Sequence, residues 1–411
     1  MLERRKAKQY TLSTELCLLC RCDLASDAEL SACVAASRHH IDWRRFLALV
    51  SFNAMGALVH ARLSGIAEAA LPKFLSDYLA DRHRHHMLVQ LLQVTETARL
   101  VELFSHARIP SIVLKGVSIA HQLYQPHTYW RYSSDIDLLV GPDAFLDADR
   151  VLVVAGYRRE WPIDGFPKRD QDMLFHLVHA FTYVHSEHGL VVELHHRLTE
   201  NPFRFRSTFA QTLSETQEIT LPGGAIRALD GPLLISYLAW HALGHHEYRL
   251  KWFSDLRRAL FRTDFTARST LLARCEEIGA GSAVRLARVI TNILYGTDCD
   301  RLPEQPAESV GVSSGSRDVT RILNNLDNAT AHPPRMRSLA QHTADLSYLR
   351  FWGSLCDDPR ARKFDLVREL SNPEDVLTLG LTRRWQWGYI ILGPLLAAAR
   401  YLRITSRHGS D

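Results

Sequence analysis

The hydrophobic positions divide the chain into a helical stretch, a short α/β stretch and a second helical stretch. Over residues 11–105 apolar residues recur at helical spacing: Leu12, Leu16 and Leu19, then Phe46, Leu49 and Val50, then Leu88, Leu91 and Leu92. Ser76 to Leu103 holds neither proline nor glycine and predicts one long helix. The pattern changes at Ile109. Ser111 to Leu114 is a short apolar run behind Pro110, typical of a strand, and Lys115-Gly116 breaks it. Val117 to Tyr124 predicts a helix ended by Pro126. Asp135 to Val140 (DIDLLV) predicts a second strand, stopped by Gly141-Pro142, and Asp143 to Ala155 a helix capped by Asp143. Gly156 to Glu160 predicts a short strand. Leu177 to Val184 and Leu190 to Leu194 are rich in β-branched and aromatic residues and predict a hairpin turning at Ser186 to Gly189. After Asp230 helical spacing returns, over Pro232 to Leu243, Leu250 to Arg262 and Ser269 to Leu294. Pro303 to Ser316 is rich in Pro, Ser and Gly and reads as an exposed loop.

Composition narrows the class. A chain of 411 residues is too long for one small core and suggests two or three packed units. With 46% hydrophobic and 23% charged residues it is an ordinary globular protein. A net charge of +4 is far from the basic footprint of a dedicated DNA or RNA binder, though it suits a protein that handles phosphates. The basic start MLERRKAKQY leads into no long apolar run, so no signal peptide is read. Seven cysteines without a regular framework read as reduced thiols in a cytoplasmic protein. No stretch reaches the ~18 apolar residues of a membrane helix. The nearest, Gly388 to Leu402, holds Pro394 and Arg400 and reads as a buried or interfacial helix; membrane-surface contact through 385–403 is the lesser reading.

The chemistry centres on the second strand. Successive side chains of a strand point to opposite faces, so Asp135 and Asp137 share one face while Ile136, Leu138 and Val140 are free to be buried. Their Cα atoms are then ~6.5–7 Å apart, enough to bracket two magnesium ions ~3.5–4 Å apart. Taken alone, such a pair also suits a solvated strand face. Arg131, four residues upstream, is placed to pair with a carboxylate or a phosphate. Glu193, in Val191-Val192-Glu193-Leu194-His195, is a charge inside an apolar strand; it marks either a sheet edge or a site. Lys115-Gly116 falls between strand and helix. Gly116 permits close backbone approach to a ligand, and Lys115 is able to neutralise phosphate charge.

Taken in order, Leu114-Lys115-Gly116, Tyr124, Pro126, Arg131, Asp135-Ile136-Asp137-Leu138-Leu139-Val140 and Val192-Glu193-Leu194-His195 resemble the uncharacterised nucleotidyltransferase family NTP_transf_5, of the polymerase-β-like superfamily. The resemblance extends upstream to Asp42-Trp43 and downstream to His241, His245 and Lys251-Trp252-Phe253-Ser254-Asp255, covering roughly residues 40–260. It implies an α+β fold: a small mixed β-sheet nucleotidyltransferase core over 109–228, flanked by helical regions over 1–108 and 229–411. It implies that Asp135, Asp137 and Glu193 hold Mg2+ (or Mn2+), and that Lys115, Gly116, Ser118 and Arg131 bind the nucleotide. His195, His241, His245, Lys251 and Asp255 then belong to the substrate or cleft wall. The implied reaction moves an NMP group from an NTP to a hydroxyl or phosphate on a small molecule, sugar or peptide. An acceptor hydroxyl attacks the α-phosphorus and pyrophosphate leaves, with Glu193 or Asp137 helping to remove the proton. Here Lys115-Gly116 stands where the superfamily usually has Gly-Ser, and the interval to Asp135 is longer than usual. Two other readings stay open: a toxin-like nucleotidyltransferase acting on tRNA or protein, and a non-catalytic interaction protein with a degenerate fold.

Further clusters lie outside this set. His241 and His245 share a helix face, with zinc-like spacing, if the helix continues past Gly244, but no glutamate follows His241 to complete a metalloprotease motif. Lys251 and Asp255, four apart, are expected to pair across a helix turn. Cys17, Cys20 and Cys22 read as buried thiols of a helix, with Cys33 the nearest further ligand. His83, His85 and His86 read as a solvated helix face.

Overall fold

The computed structural model describes residues 10, 12–37, 39–65, 71–162, 165, 166, 168, 171–245, 247–262, 268–295, 317–329, 349–356, 358–370, 388, 391 and 392. Helices come first: α1 (Thr14–Leu24), α2 (Asp27–Ser37), α3 (Trp43–Phe52), α4 (Gly56–Ser64) and α5 (Lys73–His106). A mixed stretch follows with β1 (Ser111–Val113), α6 (Val117–Leu123), β2 (Asp135–Val140), α7 (Phe145–Val154), β3 (Tyr157–Arg159) and α8 (Gln171–Leu177). It continues through β4 (Ala180–His185), β5 (Val191–His195), α9 (Phe209–Ser214), β6 (Thr216–Leu221) and β7 (Gly224–Leu229). Then come α10 (Gly231–Gly244), α11 (Leu250–Arg262), α12 (Arg268–Ile278), α13 (Gly281–Tyr295), α14 (Arg317–Asp327) and a last described helix, Pro359–Leu370. The fold is α+β. Its mixed seven-stranded sheet has the order β3-β4-β5-β2-β1-β7-β6.

The chain divides into two compact units, residues 1–137 with 210–336 and residues 138–209 with 337–411. In the first, local signals start the helices: Ser13 caps α1 by accepting from Leu16 N, and Asp42 caps α3 by accepting from Arg44 N and Arg45 N. Leu16, Leu19, Phe46, Leu49, Val50, Leu100 and Phe104 fill its core. Within it β1 runs parallel to β7, with Val113 opposite Ala228, and β7 returns antiparallel to β6. That last hairpin lies where the sequence reading placed no strand. In the second unit β4 pairs antiparallel with both β3 and β5. Two buried ion pairs stiffen this unit. Arg159 and the Tyr183 hydroxyl both bond Asp149, while Arg204 meets Asp365 at 3.1 Å.

Several boundaries differ from the sequence reading for identifiable reasons. Asp143 lies in a 3-10 turn, Pro142–Ala144, and α7 begins after it without a side-chain cap. Leu177 ends α8 rather than opening a strand: Met173, Leu174 and Leu177 are spaced helically and form a buried cluster against Trp161, Phe166 and Val178. The helix expected over Ser269 to Leu294 is two, because Gly279 at φ 98° closes α12. Gly279 N bonds Glu276 O and Ala280 N bonds Cys275 O, the Schellman pattern. The loop expected at Pro303 to Ser316 lies outside the described residues, as does nearly all of 385–403. Among the described residues no helix is long and apolar enough to cross a membrane.

Helix α5 carries its polarity inside out at mid-length. Gln90, Gln93, Glu96 and Thr97 are buried, whereas Met87, Leu88, Leu91 and Leu92 are 46%, 64%, 63% and 54% exposed. Leu91→Gln is therefore expected to leave stability within about 0.5 kcal/mol. Leu100→Ala, fully buried on the same helix, is expected to cost about 2–5 kcal/mol. Urea unfolding of the two variants checks the contrast; equal losses would contradict it.

Candidate active site

Strand β2 is locked to the end of β1 by a backbone bond from Leu114 N to Asp137 O at 3.0 Å. The turn that follows requires glycine. Gly116 has φ 62°, and a Cβ there would stand 3.2 Å from the Asp135 carbonyl oxygen and 3.3 Å from Ser133 Cβ. Because the chain turns so tightly, Lys115 points back at the strand, and its Nζ meets Asp137 Oδ1 at 2.9 Å. Asp137 is fully buried and Asp135 half-buried. Ser133 Oγ donates to Asp135 Oδ1 at 2.9 Å. From behind, Gln93 of α5 donates to the carbonyls of Ser133 and Asp135. Ser118 is buried, and its hydroxyl donates to the Lys115 carbonyl at 3.2 Å.

Arg131 is buried against Asp255. Its Nε lies 2.8 Å from both carboxylate oxygens, and NH2 reaches Oδ2 at 2.8 Å. NH1 donates to the carbonyl of Tyr132 at 2.6 Å. Tyr124 adds a hydroxyl donor to Asp255 at 2.8 Å. The expected partner of Asp255 on its own helix, Lys251, is displaced by this guanidinium. Lys251 instead lies 3.4 Å from the carbonyl of Tyr132. A forked guanidinium fits a carboxylate bidentately, which an ammonium cannot do.

The side chains around this pair are basic but weakly charged. Burial, then the neighbouring Arg131 and Arg249, brings the Lys251 ammonium down to about 7, against the pull of Asp255 and Asp135. Burial, followed by Lys115, His245, Arg131 and Lys251, holds His241 well below the usual histidine range and so neutral. His241 Nδ1 and His245 Nε2 share a hydrogen bond of 3.2 Å, and both rings face Trp252 at 4.8 and 4.6 Å. Helix α10 ends at Gly244, so His245 is its C-cap rather than a residue of the same helical face.

Glu193 and His195 stand two apart on β5, the spacing that puts two side chains on one face. His195 Nε2 lies 3.5 Å from Glu193 Oε2. Asp137, Glu193 and His195 each offer one ligand atom, all within 4.8 Å of one another. Among the described residues this is the group of His, Cys, Asp and Glu side chains able to hold a metal ion. Asp135 is not in it, and His195, expected only as a wall residue, is. The signal for His195 was present in the sequence as its two-residue interval from Glu193. The histidines of α5 correct another expectation: His85 is exposed, but His86 is buried and stacked on Tyr132 at 4.2 Å, and His83 packs edge-on to Tyr129. Cys20 and Cys22 are buried thiols, while Cys17 and Cys33 are partly exposed.

The chain belongs to the NTP_transf_5 family, described as uncharacterised nucleotidyltransferase, which matches residues 39–296. It is accordingly a nucleotidyltransferase, an enzyme that transfers a nucleotidyl group. No curated protein matches it. The solution structure of the antibiotic-resistance factor ANT(2'')-Ia is similar over 46% of this chain and 93% of that one, with 14% identity and a TM-score of 0.33. That likeness is too distant to bear on substrate.

Two outcomes follow from this geometry. Gly116→Ala is expected to destabilise the fold by about 1–3 kcal/mol through backbone strain and the contact with the Asp135 carbonyl; denaturant unfolding measures it, and an unchanged midpoint would refute the strain. Lys251 is neutral when folded above about pH 7 but protonated when unfolded up to its ordinary value of 10.5. Its penalty is therefore complete below pH 7 and gone above 10.5, so stability is expected to rise with pH across that window. Lys251→Met should flatten the rise, as read by urea midpoints at pH 7 and 9.5.

Proposed function

We propose that the enzyme moves an NMP group from an NTP to a hydroxyl or phosphate acceptor, with Mg2+ or Mn2+ held by Asp135, Asp137 and Glu193. The grouping of Asp137, Glu193 and His195 within 4.8 Å carries the reading. Two carboxylates and an imidazole suit a divalent ion, and the His nitrogen favours Mn2+ beside Mg2+. Asp135, two residues along the strand, extends the same carboxylate row. A bound ion supplies charge for the triphosphate oxygens and acidifies the acceptor hydroxyl.

The chain's own groups supply the rest. Lys115 stands beside the acids and offers positive charge to a phosphate, and Gly116 lets the backbone come close to it. Lys251, poised near neutrality, gains its proton when phosphate arrives, so nucleotide binding takes up a proton near pH 8. His241 and His245 line the wall beside Trp252. Glu193 or Asp137 accepts the hydroxyl proton. In this reading residues 109–228 carry the chemistry, and the regions 1–108 and 229–411 supply its supports. The acceptor is a small molecule, sugar or peptide, since a net charge of +4 gives no strong nucleic-acid footprint. We place the enzyme in the cytoplasm on its free cysteines.

Incubation with each α-labelled NTP and Mg2+ or Mn2+ tests the reading. The wild type should label an acceptor or release pyrophosphate, and Asp137→Ala should lower that rate by about a hundredfold or more. Equal turnover by both proteins would reject the site.

A further inference from the structure

Asp137 answers to two cations. With Glu193 and His195 it is one of three side chains that offer a ligand atom to a metal ion, and its Oδ1 also holds the Lys115 ammonium at 2.9 Å. The carboxylate itself has little freedom. Its side chain is 1% exposed, and its strand is tied to the end of β1 by the bond from Leu114 N to Asp137 O. Within the metal-capable group Asp137 and Glu193 carry two negative charges, which a divalent ion balances by itself. The ammonium is then one positive charge too many, where water screens it poorly. One cation has to give way to the other. Lys115 is the partner able to leave: its side chain is 14% exposed, its four-carbon stem rotates freely, and its charge is well hydrated. Its backbone has no need to follow, since the Gly116 turn is packed against the Asp135 carbonyl and Ser133. A displaced ammonium therefore stays within a side chain's length of the acids.

We propose that Lys115 and the divalent ion are alternative partners of Asp137: the ion expels the ammonium, and the ammonium in turn weakens the hold on the ion. This rests on the metal-dependent reading given above. It sets an order of events, because the Lys115 charge comes free for a phosphate only once the ion has loaded.

The test follows the lysine itself, in the full chain without substrate. Brief reductive methylation, read by peptide mass spectrometry, reports the accessibility of each ammonium, and Lys73, with a side chain 86% exposed, is the internal standard. Wild-type protein is titrated with Mn2+, and binding is followed by electron paramagnetic resonance. Lys115 should become about fivefold more reactive relative to Lys73, along the same curve as Mn2+ uptake. Lys115→Met should bind Mn2+ about tenfold more tightly than wild type, since no competitor has to be displaced. Saturation with Mn2+ that leaves Lys115 as protected as before would mean that the two cations share the carboxylate, and would overturn the proposal. An affinity in Lys115→Met equal to or below that of wild type would overturn it too. If Lys115→Met does not fold, the wild-type methylation curve decides alone. If the wild type binds no Mn2+, the metal-dependent reading itself falls, and the inference with it.

Discussion

A carboxylate sealed inside a sheet needs a cation within contact distance, and Asp137 has the Lys115 ammonium at 2.9 Å. Removing either partner would strand the other in a medium that solvates charge poorly. Much of the nearby backbone follows from that pair. The lysine reaches the strand because the chain reverses at once after β1, and it reverses because a residue without a side chain stands at position 116. The same turn brings α6 down so that Ser118 closes against the Lys115 carbonyl.

Two helices then act as supports. Helix α5 turns several polar groups inward where other helices turn leucines, and one of them meets backbone carbonyls that need donors. Gln93 serves two of them. Helix α11 contributes Lys251 and Asp255 one turn apart, one near the Tyr132 carbonyl and one on the guanidinium that bonds the same carbonyl. The segment from Arg131 to Asp135 is therefore fixed from both flanks by side chains far away in sequence.

What the sequence disclosed and what it concealed divide along that line. Strand β2 and helix α11 were legible to the residue, because an alternating Asp-Ile-Asp-Leu run ends at Gly141-Pro142 and a 3.6-residue pattern fills Leu250–Arg262. Glu193 was legible as a charge inside an apolar strand, but its partnership with His195 was not drawn, although their two-residue interval puts both on one face. Local periodicity shows that a helix exists but not which side meets the core when its polar side is the buried one, so the outward leucines of α5 were not foreseen and His86 was misread. Asp255 illustrates the other limit: a lysine four residues away satisfied the short-range rule, while the true partner lies 124 residues upstream. The hairpin of β6 and β7 escaped because its faces are mixed, although its Pro222-Gly223-Gly224 turn was visible.

The parallel pairing of Val113 with Ala228 has a consequence for how the chain reaches this state. During synthesis β1 emerges early, but its neighbour on that side is not yet made, and the intervening residues include the other five described strands. Contacts of such sequence separation are closed late and slowly. Until then β1 presents an open edge, the kind of surface on which partly folded chains stick to one another. Expression yield is thus expected to depend on how long that edge stays uncovered.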